Sequence, residues 1–395
     1  MRLGCALDAP SKFFFGLEKN GQSRVIHAIR SDSGQELRDT NKIRRRAASF
    51  YSELYSDEYE DNIELFEYFC GELPKVPEEV NAGVESLLVA DELYADLQGI
   101  QGGKAPGIDG IPVELYKEFW SEMGEDLLTV FKESFKDMML PLSCRRAVIN
   151  LLPKKGNLQE MNWRPVSLLC SDYKILSKAL AKRLREVMTQ VIHKDQTYCV
   201  SGRSILDNVS LIRDILDISG SLGIRTGLIS LDQEKAFDRV EHLFLWKTLE
   251  RFGLSPGLTA MIKVMYQDIE SVLKINGGLR APFGVRRGVR QGCSLSGMLY
   301  ALAIEPLLCK IRANIGGQVL KGFNKGFILS AYANNIVIFV RNQKEVSALT
   351  TIVKNFGTLS GAKVNWAKSE ALAVGNWREG LPGLPGGADL EKRRD

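Results

Sequence analysis

Histidine is nearly missing from these 395 residues, with only His27, His193 and His242 present. That scarcity excludes a metal centre built from several converging imidazoles. Cysteine is no better placed: seven are scattered along the chain without one C-x-x-C pair, which argues against a disulfide framework and a thiolate zinc site alike. No apolar run approaches the roughly 18 residues that a membrane-crossing helix needs, so no membrane partner is expected. Internal repeats and low-complexity segments are also missing. What remains is an ordinary globular composition, 45% hydrophobic and 25% charged, with room for two or three compact units. The expected setting is reduced and intracellular. The basic run Lys42-Ile43-Arg44-Arg45-Arg46 fits a nuclear signal or a plain helix face, so nucleus and cytoplasm both stay open.

The net charge of +4 is small, but it is unevenly laid out. From Glu53 to Glu92 there are thirteen acidic residues and one lysine; from Ser143 to Glu186 there are ten basic residues and three acids. Between Ser271 and Ile304 there are five basic residues and no acid. Two basic stretches set apart from an acidic one suit a surface that meets polyanions, although solvated helix faces would give the same pattern.

The first hundred residues read as helical and irregular. The glycine-rich stretch Gly99–Gly110 invites a phosphate-binding loop but fails its spacing: Gln98 stands where the first glycine belongs and Ala105 where a hydroxyl would hold magnesium. An ordered loop is expected there instead. Ala147–Pro153 is a short apolar strand stopped by proline and a Lys-Lys-Gly-Asn turn. Lys174–His193 carries apolar residues at helical spacing, and Thr226–Asp232 reads as a buried strand ending in a carboxylate. A helix near Val240–Phe252 and short strands near Ser271–Asn276 and Arg280–Val285 follow. A helix over Ser294–Arg312 and a hairpin with its corner at Asn334-Asn335 complete the pattern. Strands and helices alternate without a βαβ rhythm, which favours α+β.

Several residues could carry chemistry. Asp232 ends a buried strand, where a carboxylate is costly unless exposed, paired or bound to metal; Asp238, six residues on, suits a helix cap equally well. Gln291-Gly292 precede a helix and follow Arg286, Arg287 and Arg290, a setting suited to phosphate or simply to starting a helix. Apolar arms around Asn334-Asn335 form a turn in either case.

Taken in order, "SLDQEKAFDRV", "RQGCSLSGMLYALAIEPL" and "AYANNIVIFV" resemble three palm motifs of reverse transcriptases, in particular those of LINE-type (non-LTR) retrotransposons. "GKAPGIDGIPVELYKEFW" and the stretch Leu151–Leu184 resemble that family's finger signatures, and "SGAKVNWAKSEAL" its palm segment after the hairpin. "SKFFFGLEK" and "FYSELY" resemble the linker before the polymerase. The resemblance implies an α+β right-hand polymerase with fingers and palm, the thumb absent or incomplete. Its division would be a helical linker region at 1–98, fingers at 99–225, palm at 226–375 and a disordered tail outside the family at 376–395. It also implies an RNA-directed DNA polymerase acting on an RNA template, a DNA primer and dNTPs with Mg²⁺. Asp232 and Asn334 then match metal ligands, with Asp232, Asn334 and Asn335 as the catalytic set. Lys154 and Arg164 match residues that reach the triphosphate. Phe237 matches the bulky residue that rejects a ribose 2′-hydroxyl, and Gln291 and Gly292 the loop that sets the nucleotide against the template. Lys363 or Lys368 would approach the pyrophosphate.

The departures concern chemistry. Asn334-Asn335 stand where the family has Asp-Asp, so the site loses two negative charges while the turn keeps suitable residues. Ser294 and Gly297 replace frequent prolines, and Asn157 replaces an aspartate. The chain lacks the family's upstream endonuclease and Cys-rich tail, as an excerpted copy would. The resulting expectation is a catalytically impaired polymerase domain that keeps template–primer affinity through Lys154, Arg164 and Arg286–Arg290. The alternative is a non-catalytic nucleic-acid-binding or scaffold protein derived from such an element. Oligomeric state is open.

Overall fold

The structure, a computed structural model, describes residues 25–154, 161–320 and 326–375, with a further short strand at Glu391–Lys392. "SKFFFGLEK", the turn after Lys154 and, apart from that strand, the 376–395 tail lie outside the described residues. A small ribbon, β1 (Ile29–Arg30) with β2 (Glu36–Leu37), precedes two five-stranded sheets.

In the first large sheet, β3 (Arg146–Pro153) pairs antiparallel with β4 (Trp163–Leu168) and parallel with β6 (Glu270–Ile275). The short strands β7 (Gly278–Leu279) and β8 (Phe283–Gly284) both pair with β6. Of the strand expected at Arg280–Val285 only Phe283–Gly284 is a strand, and β7 ends just before it. Residues 270–284, which the motif order places in the palm, complete the sheet of the finger strands.

The second sheet is built around β5 (Thr226–Leu231), an apolar strand with little exposure on either face. It lies between β10 (Asn335–Val340) and β11 (Glu370–Val374), antiparallel to both; β9 (Leu329–Tyr332) and β12 (Glu391–Lys392) take the edges. Burial on both faces explains the lack of polar alternation in β5. The helices Ser296–Asn314 and Gln343–Ser360 pack on one another, and the helix Ser171–Val191 buries thirteen of its residues, packing against Ser296–Asn314 on one side and the helices Glu78–Val84 and Ala90–Gln98 on the other.

The acidic stretch has its partners inside the molecule. Asp61 pairs with Lys247 at 2.7 Å, Glu58 with Arg287 at 2.9 Å, Glu92 with Arg183 at 2.6 Å, and Glu67 with Arg251. Phe66 and Phe69 pack edge-on against Phe244 and Phe356, whose helices back the palm sheet. One core accordingly runs from Ile26 to Ala371. Arg183 and Arg287, from the two basic stretches, and Lys247 and Arg251, from between them, thus meet part of the acidic stretch within the molecule.

A second buried ionic group lies beneath β9. Glu305 is fully buried, 2.7 Å from Arg312, which also holds Asp195 through two bonds of 2.8 and 2.6 Å. Burial pushes Glu305 from its ordinary 4.5 up to about 7, although Arg312 pulls it down. For Asp195, burial is outweighed by bonds from His193 and Arg312, so its carboxyl is held low. Between about pH 4.5 and 7 the folded chain thus holds a proton on Glu305 that the unfolded chain releases, and stability falls as pH rises through that window. Asp195, held below its ordinary 3.8, contributes stability that is present throughout this window and is lost only as pH falls below it. Glu305→Gln should flatten the stability profile between pH 5 and 7.5, a change that denaturant midpoints taken across that range would register.

Candidate active site

Asp232 directly follows β5, and the β5–β10 register pairs Leu231 with Ile336, so Asp232 and Asn335 face each other one step further on. Its backbone is fixed from the far side: its N–H donates to Ser369 Oγ at 3.2 Å, and its carbonyl accepts from Asn365 N–H at 2.8 Å. A carboxylate at a strand end, with the chain 365–369 closing over it, is held in place while its side chain stays half-exposed.

The hairpin differs from expectation in detail. Tyr332 pairs with Asn335, which begins β10, so the two-residue turn is Ala333-Asn334 and not the asparagine pair. The left-handed residue is Ala333, at φ 53°, where asparagine was expected to take it. Ala333 is kept there by Gln196: this fully buried amide accepts from Ala333 N–H at 3.3 Å and from Tyr198 N–H at 3.0 Å. Thr197 N–H and Ala331 N–H exchange further bonds between this segment and β9, so the backbone of 195–197 supports the hairpin from its outer edge.

Phe237 sits in the 3-10 turn Ala236–Asp238, stacked on Tyr300 at 4.5 Å and edge-on to Tyr198 at 6.3 Å; Tyr198 meets Tyr332 at 5.2 Å. Four aromatic rings therefore run from Tyr300 to the hairpin. Tyr300 donates to Gln233 at 3.0 Å, and burial, then the Asp232 carboxylate, pushes its phenol well up.

Gln291 and Gly292 lie against β4. Ser167 N–H donates to the Gln291 carbonyl at 2.8 Å, and Gly292, at φ 116°, comes so close that an added Cβ would stand 2.8 Å from the Ser167 carbonyl. Only glycine suits that approach. The Gln291 amide nitrogen donates to both oxygens of Asp238, at 3.1 and 3.2 Å. Asp238 is thus a buried acceptor rather than a helix cap.

On the finger side Lys154 directly follows β3, and Arg164, on β4, is exposed. Partial burial lowers the Lys154 ammonium. Asp238 and Asp232 work against that, while Arg164 and Lys368 add to it. These five groups are electrostatic neighbours, although they come from three separate stretches of the chain. Lys368 belongs to this cluster; Lys363 instead faces Glu58 at 3.7 Å. The sequence left these two lysines undecided.

The remaining arginines do not reach the surface as expected. Arg287 is 1% exposed, bonded to the Leu54 carbonyl at 2.7 Å, to Glu241 at 3.1 Å and to Glu58. Arg290 is buried too, donating to the carbonyls of Cys144 and Arg145 with its guanidinium over the Tyr173 ring. Both hold the loop together, and of the three only Arg286 can meet phosphate.

The donor set at the hairpin fits magnesium poorly. Mg²⁺ favours hard, charged oxygens. The structure supplies one carboxylate, Asp232, beside two neutral amides, and Asp238 is occupied by Gln291 and by the Tyr55 hydroxyl at 2.9 Å. Among the described residues, the three-ligand cluster of acidic and sulfur groups lies elsewhere, at Asp109, Cys170 and Asp172. The residues present do not fit a pair of ions.

Gln196 and Tyr300 were not singled out by the motifs, Asp238 was weighed only as a helix cap, and Lys368 was named only as one of two lysines that would approach the pyrophosphate. For Lys368 and Asp238 the signal was present, as charged residues inside matched stretches. For Gln196 nothing local marks a glutamine that caps a hairpin more than 130 residues away.

The family described as reverse transcriptase (RNA-dependent DNA polymerase) matches residues 152–381, running past the boundary expected at 375. The Xenopus laevis transposon TX1 uncharacterized 149 kDa protein is 43% identical over 95% of this chain and 29% of its own length. The Pol polyprotein of the type-1 retrotransposable element R2 from Popillia japonica is 28% identical over 73% of this chain and 39% of its own. The probable RNA-directed DNA polymerase from transposon BS of Drosophila melanogaster is 23% identical over 72% and 31%. The chain thus spans well under half the length of these relatives.

Proposed function

Because the chain belongs to the reverse transcriptase family, as the reverse transcriptase domain of a LINE-type, non-LTR retrotransposon, we propose that it keeps that family's binding surface for RNA template, DNA primer and dNTP. In the same reading it has lost most of the nucleotidyl-transfer chemistry. The observation that carries this is the hairpin: its backbone, register and support from Gln196 are complete, while amides fill the positions at which Asp232 needs charged companions.

Because the amides do not fit a pair of magnesium ions, the activation of the primer hydroxyl and the charge relief on the leaving group that such ions would supply are what this chain lacks. The chain's own residues account for the rest. Lys154, Arg164 and Lys368 offset the triphosphate charge. The stacked Phe237 presents a fixed wall where a 2′-hydroxyl would stand. Gln291 and Gly292 bring backbone and amide up to the base pair being formed. Asp232 alone retains negative charge at the reacting end. Primer extension by the chain beside its Asn334→Asp/Asn335→Asp double variant tests this reading, and robust extension by the unmodified chain overturns it.

With Arg287 and Arg290 buried, Lys154, Arg164 and Arg286 are the exposed ones among the cations expected to hold template–primer. Three phosphate contacts should lower template–primer affinity about 15- to 60-fold between 50 and 200 mM salt. Fluorescence anisotropy with a labelled RNA–DNA duplex checks this, and salt-insensitive binding counts against it.

A further inference from the structure

The 3-10 turn after β5, the loop before the helix Ser296–Asn314, and the end of the N-terminal helix Thr40–Leu54 converge on Asp238, a carboxylate 3% exposed. Tyr55 Oη donates to its Oδ1 at 2.9 Å, and Gln291 Nε2 donates to both its oxygens. The same helix end grips the loop by its backbone: Arg286 N–H donates to the Tyr55 carbonyl at 2.8 Å, and Arg287 Nε to that of Leu54. Gly288, at φ 88°, passes so close to the Asp238 backbone that an added Cβ would lie 2.9 Å from its carbonyl oxygen.

We propose that Tyr55 and Asp238 are positioning residues for nucleotide selection: they fix the Gln291 amide with its nitrogen inward, leaving its oxygen to accept a hydrogen bond from the incoming nucleotide or its template partner. The N-terminal helix, upstream of the residues matched to the polymerase family, is thereby part of the nucleotide site. The inference rests on the proposed binding of template–primer and dNTP. Its physical basis is donor and acceptor counting. An ionised carboxylate only accepts, so it captures the amide's NH₂ and cannot face the amide oxygen. Tyr55 holds that carboxylate in one orientation. In Asp238→Asn the new amide accepts from Tyr55 and offers NH₂ to Gln291, so the Gln291 amide turns over and shows a donor where it showed an acceptor. Burial pushes the Asp238 carboxyl up, and the Tyr55 bond, Lys235 and the Gln291 bond each pull against that.

Chemistry is not needed for the test. A template–primer ended in a dideoxynucleotide is bound to the full chain and challenged with heparin, and retention is followed as the complementary Mg²⁺-dNTP is titrated. Asp238→Asn should raise the dNTP concentration for half-maximal retention about tenfold, and Tyr55→Phe about threefold. Template–primer affinity without dNTP should stay within about twofold. Tyr51→Phe is the control: its hydroxyl is buried in the same core but has no hydrogen-bond partner, so the dNTP curve should not move. If all three variants shift together with their melting temperatures, the role is structural and the proposal fails. A parent chain that responds to dNTP while Asp238→Asn responds identically overturns the relay alone. A parent chain with no response to dNTP overturns both the relay and the binding reading beneath it.

Discussion

Replacing Asn334 and Asn335 by aspartates together is expected to raise primer extension by about 10²-fold or more, since one preorganised electrostatic group is typically worth 10²–10³ in rate. Two such groups acting as a unit do not simply multiply, so the double variant is the informative one. The fold should tolerate the change. Asn335 is exposed and Asn334 half-exposed, and aspartate has the same shape as asparagine. The strained conformation at the turn belongs to Ala333, which the change leaves alone. Extension assays in Mg²⁺ and in Mn²⁺, with a melting curve for each variant, separate chemistry from stability. Equal rates for parent and double variant would remove the argument that charge at the hairpin is what the chain lacks.

The second large effect concerns stability. Arg287→Met is expected to destabilise the chain by about 3–5 kcal/mol, because it removes one member of a buried ionic group and strands the others. Glu241 is 1% exposed, and one of its carboxylate oxygens already has no hydrogen-bond partner. Without the guanidinium its remaining oxygen loses its charged partner, and the Leu54 carbonyl loses its donor. Glu58 is half-exposed and can turn to water, so it contributes little to the loss. Arg287→Met/Glu241→Gln should therefore recover more than half of the lost stability, by taking away the stranded charge. Chemical denaturation of parent, single and double variants measures both. A single variant within about 1 kcal/mol of the parent would show that the group is more solvated than its burial indicates.

The sequence made the elements with regular periods readable. β3, β5 and the hairpin arms are apolar runs with clear stops, the helix Ser171–Val191 carries apolar residues at helical spacing, and Ser296–Asn314 is a largely apolar run buried continuously from Met298 to Leu308. The helix Ile205–Ser221 escaped notice. It leaves Leu206 and Val209 in solvent while burying Asn208, which bonds Ser330 and the Ala331 carbonyl, so its pattern is inverted at that point. The site was legible where its residues lie inside matched motifs, as Asp232, Phe237 and Gln291 do. It was illegible where burial changes what a residue can do. Arg287 and Arg290 look in sequence like two more phosphate ligands, and only packing shows them turned inward. Lys363 and Lys368, five apart, could be told apart only by which carboxylates each one faces.

The parallel pairing of β3 with β6 bears on how the chain comes to be folded. Arg146 lies beside Glu270, so more than a hundred residues must be made before the finger strands gain their inner neighbour. Until then β3 and β4 form a hairpin with one long apolar edge bare, open to pairing with another chain. Contacts of such sequence separation form slowly, because the loop must close before they repay it. A fragment ending near residue 225 should consequently aggregate rather than give a soluble fingers unit. One carried through residue 284 supplies the missing strands, and marks the earliest point at which a growing chain can close that sheet.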